Sequence, residues 1–195
     1  MSKIKTGLTL VLIFITLVVF SQQKDSVKVH LNHYTLTVGT GWTYFFNNLE
    51  NGDQDIKKNF IGVSFKFLWE PEYRLSLGLE SGYYRLFKVT NQIGIDTSVT
   101  VTRTVVPMLL LVRMQIVDNV YLGAGMGLAF LNNKASGPYR EVVTQGTSMS
   151  NFELFGSYIY PLRKHWLVGG EIKVFHFGSL SDWMYSIQAT CAVKL

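Results

Sequence analysis

The stretch VVPMLLLVRMQIVDNVYLGAGMGLAF, residues Val105 to Phe130, decides how the rest of the chain is read. Its first part is apolar and holds a single charge, Arg113, before a short polar turn at Val117-Asp118-Asn119. Glycine then recurs at Gly123, Gly125 and Gly127. A helical period of 3.6 leaves a vacancy at every second position unexplained, whereas strand side chains alternate between two faces. If Ile116 faces Val120 across the turn, Arg113 lies opposite Gly123, Leu111 opposite Gly125, Leu109 opposite Gly127 and Pro107 opposite Ala129. Bulky residues of one strand then fill room left by the next, and Met108, Leu110, Val112 and Met114 face the other way. Pro107 cannot donate a ladder hydrogen bond, which predicts a bulge or a bend there.

The same period of two recurs along the chain: Tyr34 to Phe46, Phe60 to Trp69, Tyr73 to Val89, Val99 to Ile116, Val120 to Leu131, Phe152 to Tyr160, Trp166 to Phe177 and Trp183 to Leu195. Eight strands are the smallest even number that closes a transmembrane barrel. Connections alternate in length. Glu70-Pro71-Glu72, Val117-Asp118-Asn119 and Pro161 to His165 are tight, whereas Asn47 to Asn59, Thr90 to Ser98 and Asn132 to Asn151 are long and polar. Gly178 to Asp182 is the one short link at the long-loop end. Short periplasmic turns and longer outer loops are the pattern of an outer-membrane barrel, with both termini in the periplasm. The expected fold is all-β, an eight-stranded antiparallel up-and-down transmembrane β-barrel.

Before the first strand, MSKIKTGLTLVLIFITLVVFSQQ couples Lys3 and Lys5 to an uncharged apolar stretch, Leu8 to Phe20, and then to Ser21-Gln22. That order reads as a secretory signal peptide, and the stretch is short for a spanning helix, which wants about 20 apolar residues. The expected organisation is a signal peptide over 1–21, a short periplasmic segment over 22–33 and an outer-membrane barrel over 34–195. The formal charge of +5 includes Lys3 and Lys5, so the mature balance is too small to point to nucleic acid. Cys191 is the single cysteine, so no disulfide can form within the chain.

Alternation alone does not separate a membrane barrel from a soluble one; the placement of charge does. The apolar parity lacks charge through Leu75-Leu77-Leu79, Met108-Leu110-Val112, Leu122-Met126-Leu128, Val168-Ile172 and Ile187-Cys191. The opposite parity mixes Gly, Ser and Thr with Lys66, Glu80, Arg113, Glu153, Glu171, Lys173 and Lys194. A lipid-facing band and a narrow polar interior satisfy both. Aromatics flank the band: Trp69, Tyr73, Tyr160 and Trp166 near the tight turns, and Trp42, Tyr44, Tyr83, Phe87 and Trp183 near the long loops. An eight-stranded interior is only wide enough for side chains. We therefore expect Lys66, Glu80, Arg113, Glu153, Glu171 and Lys173 to form an ion network that closes the lumen. If Tyr160 faces Trp166, Glu153 faces Lys173, and Glu80 and Glu171 are the expected counter-ions of Arg113.

These residues carry a resemblance. VVPMLLLVR, a short turn and VYLGAGMGLAFL are similar to the Pro-Leu-Leu-Leu and Tyr-Leu-Gly-x-Gly strands of the small outer-membrane β-barrel family of Gram-negative bacteria, porin-like and OmpA/OmpX-type. Met108 stands at the first leucine place, and the chain ends in Leu195 where such barrels commonly end in Phe. The resemblance, from about Tyr34 to the end, implies an integral outer-membrane location and says little about activity.

Searched for catalytic chemistry, the sequence offers no metal-ligand spacing, phosphate loop or nucleophile elbow. His30 and His33 read as exposed residues. FHFGSLSDW brings His176, Ser179, Ser181 and Asp182 to one rim, a group that a lipid A-modifying barrel enzyme would need. In a tight hairpin Ser and Asp are also ordinary turn residues, and no enzyme and no cofactor are expected. The leading expectation is a monomeric barrel with a filled lumen, structural or surface-binding through its outer loops, with Tyr139, Arg140 and Glu141 as contact candidates. Its expected partners are outer-membrane lipid, the barrel assembly machinery during biogenesis and an extracellular ligand that the sequence does not name. A narrow pore, a lipid A-modifying enzyme and a soluble secreted lipid carrier are the alternatives.

Overall fold

The computed structural model describes residues 32–46, 55–71, 74–92, 98–137, 140–178 and 182–195. The expected signal peptide, the segment up to residue 31, Tyr73, Tyr139, Ser179 and Ser181 lie outside the described residues. The strands are β1 (His33–Phe46), β2 (Asp55–Lys57), β3 (Asn59–Glu70), β4 (Leu75–Gln92), β5 (Ser98–Val117), β6 (Val120–Ser136), β7 (Glu141–Pro161), β8 (Trp166–Phe177) and β9 (Asp182–Lys194). Each long strand pairs antiparallel with its sequence neighbours, and β1 pairs with β9, closing an eight-stranded barrel. The three-residue β2 adds to the outer end of β4.

The opening stretch folds as its alternation dictates. Arg113 pairs with Gly123, Leu111 with Gly125, Leu109 with Gly127 and Pro107 with Ala129. Ile116 is the extra residue of a bulge between Gln115 and Val117, so Val117, not Ile116, meets Val120. Asn119 takes φ 66°, a left-handed conformation that asparagine tolerates and that a two-residue turn requires. Pro107 is accommodated on the other side of β5. There the ladder with β4 skips Val106 and Pro107, resumes in register at Val105, and then bulges between Arg85 and Phe87.

Three further expectations about the fold change. At the β7–β8 turn, Tyr160 pairs with Val168 and Glu153 with Phe175, which moves Lys173 opposite Phe155. The cause is a tighter turn: Leu162 N–H donates to Trp166 O at 2.9 Å, so the ladder runs on until only Arg163, Lys164 and His165 remain outside it. Residues 132–151 are not a long loop, since β6 continues to Ser136 and β7 starts at Glu141. Both faces there are exposed and adjacent Val142 and Val143 fall one on each face, so hydrophobic alternation vanishes while the backbone ladder continues; Lys134 and Glu141 pair across it at 2.7 Å. Phe87 does not join the outer aromatic belt but lies buried against Phe45, because the bulge at Leu86 turns it inward.

On the outer face, Val38, Phe65, Leu79, Met108, Leu110, Met126, Leu154, Ile172 and Ile187 are exposed in a continuous apolar band. Tyr34, Trp69, Tyr158, Tyr160 and Trp166 border it near the tight turns, and Trp42, Tyr83, Phe130, Trp183 and Tyr185 border it at the opposite end. Water would make so large an apolar surface unstable, whereas lipid makes it the expected one. A tilted strand needs about 9–11 residues to cross a bilayer. β5 and β7, with 20 and 21 residues, overshoot that length. Because β5 and β6 turn tightly at the other end, the excess stands out beyond the band on the long-loop side.

Candidate functional site

Three tiers of side chains occupy the lumen. The lowest is built around Glu70, the last residue of β3, which shares the inward parity of Lys66 and Leu68. Arg113 donates to Glu70 Oε1 at 2.7 Å and to Ser76 Oγ at 3.3 Å, and its guanidinium lies 4.5 Å from the centre of the Tyr121 ring. Thr35 donates to the same carboxylate at 3.0 Å, and Lys194 Nζ lies 3.7 Å from Glu70 Oε2. The counter-ion of Arg113 is therefore Glu70, not Glu80 or Glu171. Those two sit higher in the barrel, where other cations meet them.

The middle tier brings together Lys66, Glu80, Glu153, Glu171 and Lys173, all buried. Lys66 Nζ lies 2.5 Å from Glu171 Oε2 and 3.3 Å from Glu80 Oε2, and sits over the Phe155 ring. Lys173 hydrogen-bonds Glu80, lies 3.0 Å from Glu171 Oε1 and 3.8 Å from Glu153 Oε1. Although Glu153 and Lys173 do not share a register position, their side chains converge diagonally. Three carboxylates thus meet two ammonium groups, and Glu153, whose ion pair with Lys173 spans 3.8 Å where Glu80 and Glu171 have closer cations, is the loosest held. Counted with the lower tier, four carboxylates face four cations. Such balance is what a closed interior needs, since an isolated charge there is expensive.

Tyr84, Gln188 and Ser64 complete this tier. Ser64 donates to Gln188 Oε1 at 2.6 Å, and Gln188 Nε2 donates to Tyr84 Oη at 3.4 Å. The Tyr84 ring lies where side chains at Gly62 and Gly82 would stand: a methyl group at Gly62 would come within 2.5 Å of Tyr84 Cδ1. Leu111 stands over Gly125 in the same manner, at 2.6 Å from such a methyl group.

The upper tier is apolar. Phe45, Leu86, Phe87, Phe175, Phe177 and Met184 are all buried, with the Phe175 and Phe177 rings 4.6 Å apart. Arg103 lies over Phe87 and donates to Asn133 Oδ1 at 2.5 Å. Nothing in the polar reading of the inward parity pointed to this plug. Aromatics on the inward parity were visible at Phe45, Phe175 and Phe177, but their outward-facing neighbours are also large, so alternation carried no contrast.

Of the rim residues, His176 packs against Trp183, with ring centres 4.5 Å apart and planes tilted by 35°. Above the aromatic belt, burial pushes the Asp182 carboxyl up, opposed by Arg103, Lys58 and His176. Arg140 and Glu141 lie at the tip of the β6–β7 ribbon, where Gly137 N–H donates to Arg140 O at 3.1 Å. No group of three or more potential metal-ligating side chains occurs among the described residues.

The upper ribbon has its own construction. From Glu141 to Asn151, β7 pairs with β6 alone among the described residues, and pairing with β8 begins only at Phe152. Where the ribbon meets the barrel, Met149 and Ser150 bulge out of the ladder, with Ser150 at φ 60°. Buried Ser148 and Asn151 pin this bulge: Ser148 Oγ lies 2.8 Å from Asn151 Oδ1, and Asn151 Nδ2 donates to Ser148 O at 2.8 Å.

No family model matches the chain, and no curated protein matches it in sequence. Solved structures do match. Ail, the attachment invasion locus protein of Yersinia pestis, solved with the heparin analogue sucrose octasulfate, superposes with a TM-score of 0.57 at 10% identity, covering 85% of this chain and 100% of Ail. A major outer membrane protein from Thermus thermophilus gives 0.56 at 12% identity, and Neisserial surface protein A 0.51 at 10%, each over 85% of this chain and 100% of the other. At such identities the likeness is one of fold: the chain has the fold of the small outer-membrane β-barrels.

Proposed function

We propose that this chain is an integral outer-membrane barrel that conducts nothing and works at the cell surface, through the ribbon made by the outer ends of β5, β6 and β7. The observation that carries this reading is the edge of β7 from Glu141 to Thr147, which is exposed, stands beyond the apolar band and, among the described residues, pairs with no strand but β6. An unpaired strand edge is a template for an added strand, and proteins normally blunt it. Here the exposed edge residues Glu141 to Thr147 include Val142 and Val143 and a single charge, so little guards it. The partner class is an extended polypeptide segment at the cell surface. The filled lumen favours this role over a pore, and the lipid-facing band favours it over a soluble carrier.

The test is binding of a library of extended peptides to the reconstituted barrel, read by hydrogen exchange of the β7 amides. Binders are expected to slow exchange within Glu141 to Ser148. Of two neighbouring strand residues, one points its N–H at β6 and the other at the open side. One of Val142→Pro and Val143→Pro is therefore expected to abolish binding while leaving the ribbon folded. Binding that leaves the β7 amides unprotected, or that survives both substitutions, contradicts the proposal.

A further inference from the structure

We propose that Arg85, Lys57 and Lys88 form a binding rim for the phosphate groups of outer-leaflet lipid headgroups. It rests on the membrane reading above and is independent of the ribbon. Lys57 of β2 and Lys88 of β4 are register partners. Ile56 and Val89, their neighbours, pack partly buried against the lumen plug, so both lysines project from the outer face. Two like charges directly opposite each other on one sheet face repel. Among the residues whose side chains the structure describes, no carboxylate lies within ion-pair distance of Lys57, Lys88 or Arg85, and Arg85 lies over the Phe60 ring at 5.3 Å. Lys134, in the same row through Thr102, has Glu141 at 2.7 Å.

Position selects the ligand. Arg85 follows Tyr83 and Leu79 on the outward parity of β4, and its flanking residues Tyr84 and Leu86 are buried in the lumen. Along one face the surface therefore passes from Leu79 through Tyr83 to Arg85 and then Lys88: aliphatic, aromatic, basic. That is the profile of a membrane interface, in which long cationic side chains lay their stems on the apolar zone and raise their charged ends to the headgroups. On β3, Ile61 is 75% exposed just below this row, which leaves acyl chains room beside the cations. A soluble polyanion would need no such apolar floor, whereas a phosphorylated lipid uses both parts.

The experiment titrates the full barrel in phosphatidylcholine vesicles with lipid A and with lipid A stripped of its phosphates, and reads the retained lipid by native mass spectrometry. Each basic residue near an anionic surface contributes roughly fivefold in affinity, so Lys57→Gln together with Lys88→Gln is expected to weaken lipid A retention by about 25-fold. Lys134→Gln is expected to leave it unchanged. Heat-modifiable gel mobility confirms that each variant is folded, and insertion into pure phosphatidylcholine tests the membrane reading separately. Equal retention of phosphorylated and stripped lipid, or an unchanged affinity in the double variant, overturns the proposal. Displacement of lipid A by inorganic phosphate or a soluble sulfated sugar at matching concentration overturns it as well, by making the site one for free anions.

Discussion

Lys173 is the residue whose removal should most disturb the barrel. Its ammonium group touches Glu80 and Glu171 and lies 3.8 Å from Glu153, all within a tier closed to water. Replacement by methionine keeps most of the stem and removes the charge, leaving three buried carboxylates to share Lys66. Stripping one partner from a buried ion cluster typically costs about 3–5 kcal/mol, because the remaining charge is neither solvated nor paired. Lys173→Met is expected to lose that much in urea unfolding from phosphatidylcholine vesicles, followed by tryptophan fluorescence and gel mobility. Adding Glu80→Gln restores the original excess of one carboxylate, so the double variant should regain about 2 kcal/mol or more. A loss under about 1 kcal/mol for the single variant, or no recovery in the double, would refute the claim that the charges of this tier depend on one another in a closed lumen.

Four further outcomes follow from the same geometry. Glu153→Gln, at the loosest-held carboxylate, should change stability by less than about 1 kcal/mol or raise it, since it removes the middle tier's excess of one negative charge; the same urea titration measures this. Gly127→Ala should be strongly destabilising because its methyl group would run into the Met108 carbonyl, whereas Gly146→Ala, with open space around it, should be neutral by thermal unfolding in detergent. Arg113→Met should destabilise, and Arg113→Met with Glu70→Gln should recover much of the loss, whereas pairing Arg113→Met with Glu171→Gln should deepen it. In planar bilayers the wild-type barrel should show no steady conductance, and a persistent ohmic current would overturn the filled-lumen reading.

Much of this architecture is written in period-two alternation. Arg113, Leu111 and Leu109 over Gly123, Gly125 and Gly127 could be registered from sequence because the bulky and vacant positions are complementary and the turn between them is short. The register of β7 on β8 was not legible, since Pro161 to His165 is compatible with a five-residue or a three-residue turn and only backbone hydrogen bonding selects the latter. Glu70 looks like a turn residue beside Pro71, although its parity with Lys66 places it in the lumen. Phe45, Phe175 and Phe177 give no contrast against their large outward neighbours, yet a closed interior must be filled as well as neutral, and aromatic rings fill the upper tier without needing partners. The outer ends of β6 and β7 resemble loop in the sequence because a strand wet on both faces carries no hydrophobic signature.

Every orientation argument depends on which parity meets lipid. Leu110 is 66% exposed and Leu111 2%, although they are neighbours on β5. Single cysteines at the two positions, placed in a Cys191→Ala background and reconstituted into vesicles, can be labelled with a lipid-soluble maleimide and with a membrane-impermeant one. Leu110→Cys should react with the lipid-soluble reagent alone, and Leu111→Cys with neither. Equal labelling at both positions, reversed labelling, or reaction of Leu110→Cys with the impermeant reagent would contradict the lipid-facing band and the filled lumen.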